Sequence, residues 1–168
     1  ICSNDKFTKL KSFTIPSFDH SYLYSFIQLV SCNNCEHIFN ILSKENEKNI
    51  LKFFKKEHDH LDSGTTENDV IKKRNDDCFK LVGKYSNQLS KILDLGCGEG
   101  TFLKYLGDKG YKNLSGFDLT DSIREKSKYV YKINIGNAEN LPYYDNSFDL
   151  LVLDQFLEHV INPKEILE

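Results

Sequence analysis

The sequence predicts an α/β fold built on a Rossmann-like parallel sheet, preceded by a small β-rich module and helices. After Ser90, short apolar segments typical of buried strands alternate with segments of helical periodicity. A glycine-rich turn, GCGEG at 96–100, follows the first of these strands and leads into a helix. Strands that alternate with helices pair in parallel through right-handed crossovers, so a parallel sheet is expected.

The composition limits the kinds of protein that this chain can be. With 168 residues, 39% of them hydrophobic and 28% charged, it is long enough for one domain and a small module. The net charge of −3 gives no general attraction to phosphate backbones, so nucleic acid is not an expected partner. The most apolar stretch, YLYSFIQLV at 22–30, is too short to span a bilayer. Five irregularly spaced cysteines favour a reducing, cytoplasmic compartment over a secreted disulfide framework.

Residues 1–40 are predicted to form the β-rich module. They are rich in β-branched and aromatic residues, and FTIPSF at 13–18 and YLYSFIQLV at 22–30 have the pattern of short strands. Cys32 and Cys35 have the C-x₂-C spacing that places two thiolates on one tetrahedral zinc ion. Two free cysteines remain the alternative for this pair.

Residues 41–65 are predicted to connect this module to a second domain that covers 66–168. Over 41–60, apolar residues recur at roughly helical spacing among lysines and glutamates, which predicts an amphipathic helix. The second domain should open with another helix, capped by Thr66 or Asn68. The apolar stripe of that helix comprises Ile71, Cys78, Leu81, Val82 and Tyr85.

The remaining elements of the second domain alternate between strand and helix. The predicted strands are KILDL (91–95), NLSGFDL (113–119), KYVYKINIG (128–136) and SFDLLVLD (147–154). The predicted helices are TFLKYLGDKG (101–110), with Phe102, Leu103 and Leu106 on one face, a segment around DSIREKSK (121–128), and NPKEILE (162–168), with Pro163 suited to its first turn.

The glycine-rich turn is the candidate ligand site, because ligands of open parallel sheets lie beyond the carboxyl ends of the strands. Gly96, Gly98 and Gly100 allow the backbone to approach a ligand closely. Tight packing alone is the alternative explanation for such a turn. Two acidic residues favour a nucleoside cofactor: Asp94 lies before the turn, and Asp118 lies at the end of the next strand. The Asp118 carboxylate could accept hydrogen bonds from the ribose hydroxyls of such a cofactor.

The spacing of the glycines narrows the choice of cofactor. A dinucleotide fingerprint reads G-x-G-x-x-G, whereas this turn reads G-x-G-x-G. Asp94 and Glu99 would repel a pyrophosphate but suit a ligand that carries an ammonium group, as S-adenosylmethionine does. A dehydrogenase that binds NAD remains an alternative.

Three segments, ILDLGCGEGTFL, GFDLTD and NAENLPYYDNSFDLLVLDQFLEHV, resemble successive motifs of class I S-adenosylmethionine-dependent methyltransferases, particularly small-molecule members of the ubiquinone/sugar type. The resemblance covers about residues 70–168. It implies that the cofactor is lined at its methionine end by Asp94, Gly96, Cys97 and Gly98, at the ribose by Asp118, near the adenine by Leu119, Ala138 and Glu139, and at the end of the fourth strand by Asp154 and Gln155. Asn137 stands where many relatives have aspartate.

Methyl transfer requires alignment of the acceptor, and a general base only where the acceptor must lose a proton. His159, just after the fourth strand, is the best-placed base, and Glu158 could orient it. Stabilisation of the next helix is the alternative role for both residues. Tyr143 and Tyr144 are weaker candidates for lining an acceptor pocket. Packing accounts for Cys97, which sits where the loop needs small residues.

The N-terminal segment ICSND resembles part of the opening of zinc-bearing methyltransferases that modify deoxysugars. This resemblance implies a structural zinc site formed by Cys2, Cys32 and Cys35, and it favours a nucleotide-linked sugar as the acceptor. His37 could substitute as a ligand, although its closeness to Cys35 makes the geometry poor.

The resemblance also sets expectations about extent and activity. A class I methyltransferase sheet has seven strands, and this chain stops after the fourth, which would be an exposed edge; the chain also lacks methionine and begins at Ile1. We therefore expect a fragment or truncated product that transfers a methyl group to a small-molecule acceptor. The alternatives are a non-catalytic remnant that binds the cofactor or a partner, and an NAD-dependent oxidoreductase. The charge makes an RNA methyltransferase less favoured.

Overall fold

The computed structural model describes residues 5–14, 26–57, 69–119 and 131–167. The chain divides into two compact units, Ile1–Glu57 and His58–Glu168. The predicted helix around 121–128 and the predicted caps Thr66 and Asn68 lie outside the described residues.

The N-terminal unit contains a three-stranded antiparallel sheet in its described part, with strand order β1-β2-β3. Its strands are β1 (Phe7–Thr14), β2 (Phe26–Cys32) and β3 (Ile38–Asn40). Val30 and Cys32 on the central strand β2 are buried. The sheet is followed by helix α1 (Lys44–Glu57), whose Asn46 amide donates to the Ser43 hydroxyl at 3.1 Å.

The first strand lies earlier than the sequence predicts. Strand β1 shares only Phe13 and Thr14 with the predicted segment 13–18, and the rest of that segment lies outside the described residues. Strand β1 contains Lys9 and Lys11 among apolar and hydroxyl side chains, and its residues are mostly exposed. Lysines are typical of edge strands, where they discourage pairing with other chains.

The C-terminal unit is built on a parallel sheet, as predicted. Helix α2 (Asp69–Tyr85) precedes the four described strands, which are β4 (Lys91–Leu95), β5 (Asn113–Asp118), β6 (Lys132–Ile135) and β7 (Leu150–Val152). Their order is β6-β5-β4-β7 with every pairing parallel. The chain moves outward from β4 to β6 and then crosses back to β7, so the direction of winding reverses beside β4. Ligands of such sheets bind at this switch point.

The core of this unit lies on both faces of β4. Ile92 packs on one side with the face of α3 (Thr101–Asp108), where Phe102, Leu103 and Leu106 are buried as predicted. Leu93 and Leu95 pack on the other side with Phe117 of β5. Consecutive side chains of a strand point to opposite faces, so a strand covered on both sides is apolar almost throughout. The carboxylate of Asp94 is the exception within this run.

The predicted stripe of α2 is only partly buried. Val82 is in the core, but Leu81 and Tyr85 are 55% and 74% exposed. They line an open groove of about 330 Å³ together with Cys78, Leu150–Leu153 and Asp154. Within the described residues β7 pairs with β4 alone, so this end of the sheet is an edge, as expected. Helical periodicity identifies an apolar face, but it does not report whether another element covers that face.

The C-terminal segments of the unit are short. Two 3₁₀ helices, Ala138–Asn140 and Leu157–His159, flank β7, and a final helix spans Pro163–Leu167 with proline in its first turn, as predicted. Among the described residues, no helix combines the length and apolarity that crossing a membrane would require.

Candidate functional site

The glycine-rich loop leaves the end of β4 in a left-handed backbone. Gly96, Gly98 and Gly100 have φ of 74°, 52° and 79°, values that side chains with a Cβ rarely adopt. The amides of Gly96 and Cys97 both donate to the carbonyl of Phe117, at 2.8 and 3.2 Å. These bonds hold the loop against the end of β5.

The Gly98 amide and the Asp118 carboxylate meet on the open side of this loop. Gly98 N donates to Asp118 Oδ2 at 3.0 Å, and Leu119 N donates to Oδ1 of the same carboxylate at 2.7 Å. A carboxylate oxygen can accept more than one hydrogen bond, so this group is of a kind that binds hydroxyl groups. A Cβ built on Gly98 would have no atom within 4 Å, so there is room for a ligand beside the loop. The fixed carboxylate and the open space fit the ribose of a nucleoside cofactor.

Asp94 is a buried carboxyl group at the end of β4. It is 5% exposed, and its pKa is raised to about 8, first because burial disfavours the charged form and then because Asp154 and Asp118 add negative charge. The Arg74 guanidinium acts in the opposite direction. Near pH 7 this carboxyl is therefore mostly protonated, and an added cation would favour its ionisation.

The turn after β7 is held by an arginine from α2. Arg74 Nε lies 3.2 Å from Asp154 Oδ2, and Nη1 donates to Gln155 Oε1 at 2.6 Å. Gln155 has φ of 52°, which is unfavourable for a residue with a Cβ and is typical of functional turns. The sequence analysis missed Arg74. The signal available was weak: it is one of two arginines in the chain, and it lies on the helix before the first strand of the sheet.

Phe156 closes the side of the loop next to β7. Its ring lies so close to Gly96 that a Cβ built on this glycine would overlap it. The sequence analysis also missed this contact, since the two positions lie far apart in the chain. Gly96 is thus required twice, by its backbone angle and by the ring of Phe156.

The segment expected near the adenine follows β6. Gly136 N donates to the carbonyl of Asp118 at 2.8 Å, which brings the segment beside the end of β5. Asn137 Oδ1 accepts from Glu139 N at 3.1 Å and so caps the 3₁₀ helix that Ala138 begins. The partly buried Ala138 packs on Leu93, Leu95 and Phe117. Asn137 therefore stabilises the start of this 3₁₀ helix.

The candidate catalytic residues differ in their surroundings. His159 and Glu158 are both exposed, and the backbone amide of His159 donates to the Phe156 carbonyl at 3.0 Å. Tyr143 instead packs in the core beside Phe117 and accepts a hydrogen bond from Asn134 Nδ2 at 3.0 Å. Tyr143 is thus partly buried by Phe117 and its neighbours, and its role in an acceptor pocket stays a prediction.

Tyr144 and Cys97 are the other two residues that the sequence singled out near the site. Tyr144 is 93% exposed, so the described residues provide no pocket around it. Cys97 is buried, and a Cβ built on Gly116 would come within 2.6 Å of its sulfur. Burial raises the pKa of the Cys97 thiol, and Asp94 adds to this effect. This agrees with packing, and not nucleophilic catalysis, as the role of Cys97.

The cysteine pair lies in the turn between β2 and β3. Cys32 is buried and Cys35 is exposed. Cys32 N donates to the His37 carbonyl at 2.9 Å, and Glu36 N donates to the Cys32 carbonyl at 3.0 Å, which tightens the turn around the pair. Within the described residues no three histidine, cysteine or acidic side chains form a metal-binding group. The third predicted ligand, Cys2, lies outside the described residues.

Part of the C-terminal unit is similar to proteins of a known family. Residues 93–168 match the family described as "Methyltransferase domain". An uncharacterized methyltransferase of Schizosaccharomyces pombe is 29% identical over 104 residues, covering 51% of this chain and 36% of that protein. An uncharacterized protein of Methanocaldococcus jannaschii is 28% identical over 120 residues, covering 70% of this chain and 54% of that protein. The chain thus spans about a third to a half of these relatives.

A solved S-adenosylmethionine-dependent methyltransferase from Methanosarcina mazei is 27% identical, with a TM-score of 0.41, covering 46% of this chain and 42% of that chain. The stretch that matches the family begins within β4 and contains the glycine-rich loop, Asp118 and the turn after β7. Residues 93–168 are thus similar to methyltransferase domains, and this match covers a little under half of the chain.

Proposed function

We propose that this chain binds S-adenosylmethionine and transfers its methyl group to a small-molecule acceptor. The observation that carries the proposal is the Asp118 carboxylate, held by the Gly98 amide on the open side of the loop. The buried Asp94 adds to it, because a carboxyl group with a raised pKa can gain a favourable partner in an ammonium group.

In this proposal, different residues contact different parts of the cofactor. Asp118 accepts hydrogen bonds from the ribose hydroxyls. The adenine lies beside Leu119, Ala138 and Glu139. The methionine end is held by Asp94, Gly96, Cys97 and Gly98, and the turn of Asp154 and Gln155 closes the pocket. When bound, S-adenosylmethionine supplies an activated methyl group with its own leaving group. The chain contributes orientation of the two reactants and exclusion of water.

We further propose that His159 removes a proton from the acceptor, with Glu158 as its orienting partner. The exposed position of His159, a few residues after β7, supports this role because an acceptor could reach it. A neutral imidazole has a ring nitrogen that can accept a proton, as a general base must.

For the N-terminal unit we propose a structural zinc ion held by Cys2, Cys32 and Cys35. The register supports this site, because Phe7 at the start of β1 pairs with Cys32, so β1 begins beside the cysteine turn. Asn33 N also donates to the Lys6 carbonyl at 3.0 Å. The resemblance to zinc-bearing enzymes makes a nucleotide-linked sugar the proposed acceptor.

Zinc analysis of the purified protein tests this second site. We expect zinc to copurify with the wild-type chain and to be lost from Cys32→Ser, whereas Cys78→Ser in α2 should retain it. Equal zinc contents in both variants, or none in the wild type, would contradict the site.

Calorimetric titration with S-adenosylhomocysteine tests the main proposal. We expect saturable binding by the wild type, loss of binding in Asp118→Ala, and unchanged binding in Asp145→Ala, which alters an exposed loop carboxylate. NAD should produce no heat of binding. Tight NAD binding would instead support an oxidoreductase, and a folded chain that binds neither ligand would refute the site.

A further inference from the structure

The segment after β6 contains a small hydrogen-bonded ring between Asn137 and Glu139. Glu139 N donates to Asn137 Oδ1 at 3.1 Å, and Asn137 Nδ2 donates to Glu139 Oε2, also at 3.1 Å. A backbone amide can pair only with the oxygen of an asparagine side chain, so the first bond fixes which atom of Asn137 is the nitrogen. The ring therefore holds the Glu139 carboxylate beside the Asn137 NH₂ group.

This ring lies next to the end of strand β5. Gly136 N donates to the Asp118 carbonyl at 2.8 Å, and positions 137–139 follow directly after this bond. Ala138 packs on the core beside Phe117, whereas the side chains on either side of it are exposed. The ring thus forms a polar edge over an apolar base. In the proposed function the ribose is bound at Asp118, and the adenine attached to it lies beside this edge.

The polar atoms of the ring differ in what they can still bind. The Asn137 oxygen already accepts from the backbone of its own helix, and the Asn137 nitrogen is only a donor. Glu139 Oε1, in contrast, forms no hydrogen bond within the part of the chain that the structure describes. An ionised carboxylate oxygen is also a stronger acceptor than an amide oxygen. The strongest acceptor that remains in the ring is therefore Glu139 Oε1.

The chemistry of adenine matches this acceptor. Adenine carries an amino group at C6, and this group donates hydrogen bonds. The NH₂ group of Asn137 would leave such a donor unpaired, whereas a carboxylate oxygen can accept from it in a charge-assisted bond. The Glu139 side chain is exposed, so it can meet the amino group without disturbing the core. In this segment the acceptor role therefore falls to position 139.

We propose that the Glu139 carboxylate accepts a hydrogen bond from the 6-amino group of the cofactor and so makes the site selective for adenine. Asn137 is a positioning residue, because its amide holds one carboxylate oxygen of Glu139 and leaves the other for the base. This inference rests on the proposed function, to which it adds the side chain that recognises the base.

A purely structural role for Glu139 makes a different prediction. If its side chain only stabilised the 3₁₀ helix Ala138–Asn140, its loss would weaken every ligand that contacts this helix to the same extent. If Glu139 contacts the amino group, its loss would weaken only ligands that carry this group. S-adenosylhomocysteine and its analogue with hydrogen in place of the 6-amino group separate the two roles, since they differ at this position alone.

The experiment measures the dissociation constants of these two ligands for the wild type, Glu139→Ala and the double variant Asn137→Asp with Glu139→Ala. Asp145→Ala is the matched control, because it removes an exposed carboxylate outside the ring. We expect the wild type and the control to bind S-adenosylhomocysteine about tenfold more tightly than the analogue, as for a hydrogen bond to a charged group. Glu139→Ala should reduce this preference to within about twofold by weakening S-adenosylhomocysteine alone. The double variant should restore the preference, because Asn137→Asp supplies a new carboxylate oxygen.

The other outcomes contradict the inference in distinct ways. An unchanged preference in Glu139→Ala would assign the amino group to another residue, and equal weakening of both ligands would assign Glu139 to stabilising the helix. A double variant without the preference would overturn the positioning role of Asn137. Equal affinities of the wild type for the two ligands would overturn the inference without any substitution. A folded wild type that binds neither ligand would instead refute the proposed function itself.

Discussion

Replacing Asp94 with asparagine should remove a large part of the pH dependence of folding stability. In the ligand-free protein the pKa of Asp94 is raised from 3.8 to about 8 because its carboxyl is buried near Asp154 and Asp118. Between these two pH values the folded state holds a proton that the unfolded state has lost. This contribution to stability is therefore fully present below pH 3.8 and is lost as the pH rises through about 8.

The size of the effect follows from the same rise in pKa. One pKa unit corresponds to roughly 1.4 kcal/mol, so the rise to about 8 sets an upper limit on the order of 5 kcal/mol between acidic and alkaline pH. An asparagine amide has nearly the shape of the neutral carboxyl but cannot ionise. Asp94→Asn should therefore become progressively more stable than the wild type as the pH rises from 5 to 8.

Urea unfolding followed by circular dichroism at pH 5, 6, 7 and 8 measures this difference. We expect the free energy of unfolding to fall more steeply with pH for the wild type than for Asp94→Asn. Asp145→Asn, which changes an exposed loop carboxylate, should keep the slope of the wild type. Equal slopes for the wild type and Asp94→Asn would refute the reasoning, because Asp94 would then titrate alike in the folded and unfolded chains.

Three further outcomes are expected. Binding of S-adenosylhomocysteine at pH 7 should release a fraction of a proton, measured by calorimetry in buffers of different ionisation heat, and Asp94→Asn should abolish this release. Gly116→Ala should lower the free energy of unfolding by about 1–3 kcal/mol, because the new Cβ would lie 2.6 Å from the Cys97 sulfur; Gly83→Ala, in an open part of α2, should raise it by about 0.5–1 kcal/mol. His159→Ala should leave the affinity for S-adenosylhomocysteine unchanged, and a loss above about tenfold, or roughly 1.4 kcal/mol, would place His159 in cofactor binding instead.

Local sequence was sufficient for the sheet and its loop. The segment KILDL became β4 with the predicted ends, and the three glycines after it have the left-handed backbone that their spacing suggests. Both features depend on interactions within a few residues, since apolar runs make buried strands and only glycine tolerates repeated positive φ. Asp94 and Asp118 could also be predicted, because each lies at the end of a segment that is recognisable as a strand from its local sequence.

Contacts between distant segments could not be predicted in this way. Arg74 and Gln155 are 81 positions apart and meet only because β7 returns beside β4. The exposed side chains of Leu81 and Tyr85 show a related limit, because a helical pattern defines an apolar face without defining what packs on it. The position of β1 was missed because its lysines interrupt the apolar pattern of a strand.

The contact between Gly96 and Phe156 limits how this loop can change. The ring fills the volume that any larger residue at position 96 would need, and the left-handed backbone of Gly96 opposes such a residue independently. Replacing Phe156 alone with a smaller residue would leave a cavity beside the loop. Replacing Gly96 alone with a larger residue would push the turn after β7 outward. Laboratory evolution of this pocket would thus have to alter the two positions together, through a double substitution that no single-site library contains.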